Sequence, residues 1–479
     1  MISDRDKDED IPSEWVQVKL GDVLQVIRGA SPRPKGDPRY FGGDIPWIKI
    51  SDITKEKGKH ISITKDHVTE DGAQKSRFLQ AGTLILSNSG TVCVPKILAV
   101  DGCIHDGFVA FPELPDKFDI LYLYYFFDKI RPQIINENRQ GITQVNLNTT
   151  IVKNIVLPVA PIKEQKCIVA EIEKQFSRLD EAVDNFKRVK ANLKRYKASV
   201  LKAAVEGKLT EEWRKANPDV EPAGKLLKRI LAERRKKWEE AELAKMYAKG
   251  KIPKDDKWKK KYKEAELPKE EYTFKIPDLW VWSNLGQLAW SVKDGPHYSP
   301  KYSKSGIPFI SGGNIRPEGI DFSSAKYISK ELHAELSERC KPELGDLLYT
   351  KGGTTGIARI NTETKEFNVW VHVAVLKLVG SIDRSYLQHV LNSPHCYRQS
   401  QVYTHGVGNQ DLGLTRMIWI TIPLPPLAGQ KIIVRMIEEK LTIVSEIEKQ
   451  VDSNLKRAER LHQSILKKAF SGKLIQSKG

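Results

Sequence analysis

Glu164–Lys174 reads EQKCIVAEIEK, and Gly429–Lys440 reads GQKIIVRMIEEK. The glutamines of the two lines, Gln165 and Gln430, stand 265 residues apart. The same offset relates distant parts of the chain. Pro12 and Trp15 of PSEW align with Pro277 and Trp280 of PDLW, and Leu20-Gly21 aligns with Leu285-Gly286. In between the offset slips: DIPWI at Asp44–Ile48 resembles GIPFI at Gly306–Ile310 at 262, and GTLILSNSGTV at Gly82–Val92 resembles GDLLYTKGGTT at Gly345–Thr355 at 263. Near Gly141 and Gly406 it returns to 265, and it holds through Pro158/Pro423, Pro161/Pro426 and the EGKL and SGKL that end at Leu209 and Leu474. So long a period excludes a solenoid. It predicts two copies of one module of about 200 residues, with variable loops and an invariant last element.

Each copy has two parts. Residues 12–160 and 277–425 carry short β-rich runs such as TLILS, FVAF, VHVAVLKLV and IWITIPL, punctuated by Gly, Pro, Asn and Asp. A helical stretch, DILYLYYFFDKI, interrupts them, so each is a mixed α/β domain. Residues 161–209 and 426–474 then lack proline after their first positions and carry apolar or small residues at heptad spacing. In the first copy these are Ile172, Phe176, Leu179, Val183, Phe186, Leu193, Val200 and Ala204, interrupted by Lys190 and Lys197. In the second they are Ile437, Leu441, Val444, Val451, Leu455, Ala458, Ile465 and Ala469. Each stripe needs a partner, and the nearest of equal length is the other one. The expected fold is α+β: two duplicated mixed α/β domains separated by two long helices that form an antiparallel coiled coil with pseudo-twofold symmetry. Residues 1–11 and 475–479 read as tails. Between the copies, 210–276 holds 20 Lys and Arg against 14 Asp and Glu. It reads as a charged, partly helical linker with a solvated face.

The whole chain carries 78 Lys and Arg against 61 Asp and Glu, a formal charge of +17. That surplus favours a polyanion, most simply nucleic acid. Five cysteines, an odd number with no CxxC pair, indicate reduced thiols and a cytoplasmic protein rather than a disulfide or zinc framework. The polar, acidic start MISDRDKDED is not a signal peptide, and no apolar run is long enough for a membrane span. No GxxxxGK[ST] loop and no Asn/Asp-Pro-Pro-aromatic stretch occurs. Asp346 with Glu363 and Lys365 imitates a nuclease metal site, but its first-copy counterpart is Thr83. We expect no catalytic residue and no metal ligand on this chain.

The order domain, long helix, domain, long helix resembles the specificity subunit of type I restriction-modification enzymes. The resemblance rests on GDIPWIKISDI, GITQVNL and the proline-then-EQKCIVAEIE start of the helix, echoed by LPPLAGQKIIVRMIEEK. It covers nearly all of 12–474. It implies that the two domains are target recognition domains, each reading one half of a bipartite, asymmetric double-stranded DNA site. It further implies that the helices set the spacing and dock two modification subunits, with restriction subunits joining to cleave. S-adenosylmethionine, ATP and Mg2+ would then belong to those partners, which methylate adenine and cut DNA. Two departures stand out: Gly429 replaces Glu164, and GVGNQDL only weakly echoes GITQVNL. Two other readings use the same residues: a stand-alone DNA-binding or coiled-coil scaffold protein, and a nuclease or methyltransferase.

Base readers should be Arg, Lys, Asn, Gln, Ser and Thr on loops. The first domain offers Arg33, Lys35, Arg39 and Tyr40 in RGASPRPKGDPRYFGG, Ser87, Asn88 and Thr91 in LSNSGTV, and Arg139, Gln140, Thr143 and Gln144 in NRQGITQVN. The second offers Lys301, Tyr302 and Lys304, then Thr350, Lys351 and Thr354, then His405, Asn409 and Gln410. Against each stands an ordinary turn whose polar residues cap backbone groups.

A paired helix of about 45 residues is a rod of about 68 Å. Adding one heptad to both helices, near Lys190 and Leu455, preserves the apolar seam and lengthens the rod by about 10 Å. Mapping methylated sites in cells carrying the lengthened chain should show both half-sequences unchanged and the gap between them larger by about three base pairs. Retention of the original gap by a functional variant would refute the spacing role.

Overall fold

The computed structural model describes residues 11–56, 58–88, 91–139, 147–251, 253–267, 274–406 and 410–475. Its contacts divide the chain into two units. One comprises the residues up to Arg188 together with those from Val451 onward; the other is Val189–Gln450. Each unit thus holds one mixed α/β domain and a piece of each long helix.

The two domains repeat one topology. In the first, a sheet runs in the order Ile27–Arg28, Phe108–Phe111, Leu84–Ser87, Pro95–Leu98, His60–Ile61. In the second, the order Ala289–Asp294, Val373–Leu378, Leu347–Thr350, Ala358–Ile360 reproduces its first four strands. A second sheet centres on Phe41–Ile48 in one domain and Ile307–Ile310 in the other. Each domain is closed by its first and last strands. Val16 pairs with Val159 and Val281 with Leu424, antiparallel, at matching positions of the repeat. Closure places the end of the domain next to its beginning, so the long helix leaves from a fixed point.

That point explains the repeated line. Gln165 is fully buried. Its Oε1 accepts from the Asp119 N–H at 2.9 Å, and its Nε2 donates to the carbonyls of Lys117 and Ala160 at 2.9 and 2.8 Å. Gln430, equally buried, accepts from the Asp383 N–H at 3.0 Å and donates to the Pro425 carbonyl at 3.0 Å. Asp119 and Asp383 in turn accept from the N–H of Tyr122 and Tyr386 at the starts of their helices. The tyrosine hydroxyls donate back to Pro158 and Pro423 at 2.7 and 2.6 Å. Each is a closed ring of buried and half-buried bonds joining the closing strand, the helix that begins at Ile120 or Arg384, and the long helix.

The long helices are Ile162–Val205 and Leu427–Ala469, of 44 and 43 residues. Within the first unit, Ile168, Val169 and Ile172 share a core with Ile465, Leu466, Ala469 and Phe470. Within the second, Val200, Ala204 and Val205 share one with Ile433 and Ile437. In both units the start of one helix meets the end of the other, which is antiparallel pairing. Lys197, a break in the apolar stripe, reaches Glu448 at 2.7 Å and fixes register with a half-buried ion pair. Gly207 and Gly472, at φ 76° and 70°, turn the chain off each helix. A Cβ there would lie 2.5 Å from Pro277 and 2.2 Å from Pro12, so each helix end seats against the first proline of a domain.

The linker differs from the solvated charge run expected of it. Its helix Ala223–Ala248 buries Ala223, Leu226 and Ile230 in the core of the second unit. Glu233 accepts from the N–H of Gly380 and Ser381 and from the Ser381 hydroxyl at 2.6–3.2 Å. Burial pushes its carboxyl up, but these donors outweigh it and hold it below the usual range. Arg234 donates to the carbonyls of Gly286 and Ala289 and to the Tyr262 hydroxyl. The next helix turn upstream fills the place of a missing side chain: Trp213 lies 3.6 Å from where a Gly429 Cβ would be. In the first domain the equivalent Glu164 instead accepts from the Trp15 indole at 3.1 Å.

Replacing either buried glutamine, Gln165→Leu or Gln430→Leu, strands carbonyls and an aspartate N–H without partners. Each substitution should cost about 1–3 kcal/mol in denaturant unfolding. Hydrogen exchange should accelerate at Asp119 in the first and at Asp383 in the second, without crossing over.

Candidate nucleic-acid interface

The loop after the second strand of each domain, Ile27–Arg28 and Ala289–Asp294, is laid directly on a strand end. A Cβ at Gly29 would lie 2.1 Å from the His105 carbonyl oxygen, and one at Gly295 would lie 1.8 Å from that of Val369. Only glycine permits that approach. In the first domain it gathers a basic cluster around Asp106. Arg28 Nε and Asn88 Nδ2 each donate to the Asp106 carbonyl at 3.0 Å, and the Arg33 guanidinium lies 4.0 Å from its carboxylate. Burial depresses His105, Asp106 opposes, and the charges of Lys49, Arg33 and Lys35 add to the depression. The Gly107 N–H and Asp106 Oδ1 both approach His105 Nδ1, at 2.9 and 2.8 Å.

The predicted residues divide sharply. Arg33 and Lys35 are exposed beside this cluster. Arg39 is exposed too, but its guanidinium is held by Asp37, at 2.7–3.2 Å, and lies over the Tyr40 ring. Ser87 and Thr350 are fully buried, which corrects their reading as base contacts. Their hydroxyls accept from the Val94 and Ile357 N–H groups at 2.9 Å and close equivalent strand-to-strand turns. Asn88 and Lys351 are buried as well and belong to the scaffold. Thr91 is half-buried, its carbonyl accepting from Ser87. Lys301, Lys304, Thr354, His405 and Gln410 are exposed. Tyr302 packs against Phe309 under Lys326, whose ammonium is 4.2 Å from its ring. Gln140, Thr143, Gln144, Asn409 and the side chain of Arg139 lie outside the described residues.

In the second domain the loops converge on a buried ion cluster. Lys351 Nζ sits 2.8 Å from Asp411 and 3.4 Å from Asp294. Asp294 also meets Arg339 at 2.8 Å and His297 at 3.3 Å. Asp346 is held by Lys377 at 2.8 Å and by the Glu343 N–H, a structural turn. Sequence motifs do not single out Arg28, Lys49, His297 or Arg339. Arg28 opens the RGASPRPKGDPRYFGG stretch and Lys49 lies within GDIPWIKISDI, but the place of these four residues beside Asp106, His105 or Asp294 emerges only on folding.

The backbone frame is the same in both domains. Asn88 N–H donates to Gly107 and Lys351 N–H to His372; Leu147 N–H donates to Asn88 and Leu412 N–H to Lys351, all at 2.7–3.0 Å. Cys93 and Gly356 turn equivalent corners at φ 58° and 98°. On this frame Asn88 has Lys351 as its counterpart, Arg28 has Asp294, and His105 has Trp370.

A family model described as the type I restriction modification DNA specificity domain matches residues 12–195 and 277–457. The chain is 25% identical over 470 residues to the Type I restriction enzyme EcoBI specificity subunit of Escherichia coli, covering 97% of this chain and 87% of that one. It is 22% identical over 484 residues to the EcoKI specificity subunit of Escherichia coli strain K12, covering 97% and 90%. Its fold matches a chain from a study of complex assembly and conformational transition of the type I R-M system. There the TM-score is 0.61 at 17% identity, with 97% and 99% of the two chains covered. Two family matches, one on each copy of the repeat and at the same place within it, show that the chain belongs to the type I restriction-modification DNA specificity family.

Proposed function

We propose that each domain reads one half of a bipartite, asymmetric DNA sequence, and that this chain performs no catalysis itself. One observation carries this reading: an identical hydrogen-bonded frame presents different side chains at equivalent positions. Beside it the exposed side chains are Arg28, Arg33 and Lys35 in the first domain and His297, Lys301 and Lys304 in the second. Two equal frames with equal readers would recognise a palindrome; unequal readers recognise two different half-sites. Two modification subunits would dock near the helices, once per copy, and restriction subunits would join them. S-adenosylmethionine, ATP and Mg2+ would be held by those partners. The free thiols, four of them buried, suit a cytoplasmic setting.

The test is an exchange of 12–158 for the equivalent region of a relative with a different specificity. Both cut points lie at the closed ends of the first domain. Methylation mapping should show one half of the recognised sequence replaced and the other kept. A change in both halves, or in neither, would refute separate readers.

The burial pattern separates readers from scaffold within a domain. Lys35→Ala should lower DNA affinity several-fold with no change in melting. Lys351→Met leaves Asp411 and Asp294 short of a partner and should cost about 1–3 kcal/mol of the second domain's stability in denaturant titration. The opposite assignment, a melting change for Lys35 and none for Lys351, would overturn the division.

A further inference from the structure

The second domain carries the linker helix Ala223–Ala248 and the chain that follows it. Between positions 245 and 263 there are nine lysines and two aspartates. Lys245, Lys257 and Lys259 are paired with Glu242, Asp255 and Asp256. Lys249, Lys251, Lys254, Lys260, Lys261 and Lys263 are exposed and make no ion pair among the described residues. The segment has a fixed base. Trp238 stands 6.2 Å from Trp258 and 5.3 Å from Tyr262, ring to ring. Arg234 binds the Tyr262 hydroxyl at 2.6 Å, and Asn284 and Gln287 of the domain donate to the carbonyls of Glu266 and Ala265.

This positive segment is continuous with the candidate interface. A cleft between the linker helix and the domain is lined by Lys245, Lys293, Arg339, Lys341 and Lys377, together with Glu338 and Glu343, the last paired with Lys377 at 2.6 Å. Arg339 belongs to both places: it lines the cleft and binds Asp294 in the cluster that holds Lys351. A row of cations therefore leads from the recognition loops, past Arg339 and Lys293, to Lys245 and the lysine-rich segment. Lysines on flexible stems at irregular spacing are point charges without the planar fork that reads a base edge. They suit a phosphate backbone.

We propose that this row is a sequence-independent track for the phosphates of duplex DNA flanking the half-site of the second domain. It rests on the reading that the second domain binds DNA. Replacing Lys249, Lys251, Lys260 and Lys261 together by Gln removes four exposed charges and no partner among the described residues. The chain should be purified with its modification subunits, and duplex binding measured across a range of salt. Each phosphate that is no longer neutralised lowers the slope of log K against log salt by about 0.9, so a fall of roughly three to four is expected. The methylated sequence and the subunit mass should stay unchanged. Trimming the duplex on the second half-site's flank should reproduce the weaker salt dependence; trimming the other flank should not. An unchanged slope would overturn the proposal. Loss of a subunit from the complex would overturn it too, by showing that the lysines hold an acidic protein surface. The slope on a duplex lacking the site decides the track even if the unsubstituted complex shows no sequence preference, an outcome that would instead count against the half-site reading.

Discussion

A buried amide decides how each recognition domain is attached. A glutamine side chain presents both a donor and an acceptor, and inside a protein each must be matched. Gln165 matches Asp119 N–H with one end and the Lys117 and Ala160 carbonyls with the other. These groups belong to the loop before one helix and to the last residues of the closing strand. No rotation of the long helix about its own axis keeps all three bonds. The domain is therefore set in one orientation on its helix, and Gln430 repeats the device. Hydrophobic packing alone would allow sliding, since an apolar stripe tolerates re-registration better than a satisfied polar network does.

This constraint was written plainly in the sequence, because buried polar groups leave a residue-specific trace that a core of interchangeable aliphatics does not. The glutamine, the proline before it and the heptad stripe after it were all readable. So were the strands, whose apolar runs survive at matching positions of both copies. The recognition loops were less legible. Ser87 and Thr350 look like readers by residue type, yet their hydroxyls bond the next strand's N–H. Composition cannot distinguish a hydroxyl facing a groove from one closing a turn. The linker misled for another reason. Its apolar residues Leu226 and Ile230 are four apart and hidden among charges, so a mean over the segment reads as solvated while one face is fully buried.

The differences between the copies follow the same division. Where the frame is at stake, the copies agree down to individual backbone bonds. Where a side chain leaves the frame, they diverge. Glu164 holds Trp15, whereas Gly429 makes room for Trp213 of the linker. The second domain thus gains a helical strap, and the linker becomes part of a domain rather than a tether between two.

Separation of frame from reader also explains why the exposed cations are held without being locked. Arg39 is bound by Asp37, and Arg33 lies near Asp106, both at the surface. Exposed pairs of this kind contribute little to folding and are screened by salt. They do restrict where a long side chain rests, so less freedom is given up when an anion replaces the carboxylate. A phosphate is a better partner for a guanidinium than a carboxylate already in water, because binding also releases condensed counterions. Asp106 and Asp37 thus set where these two cations rest. Lys351 shows the opposite arrangement, buried between two aspartates, of which Asp411 has no other ion pair among the described residues. Cations are thus loosely paired at the surface in one place and part of the architecture in another, according to their burial. That contrast lets side chains on the loops change while the turns that carry them stay fixed.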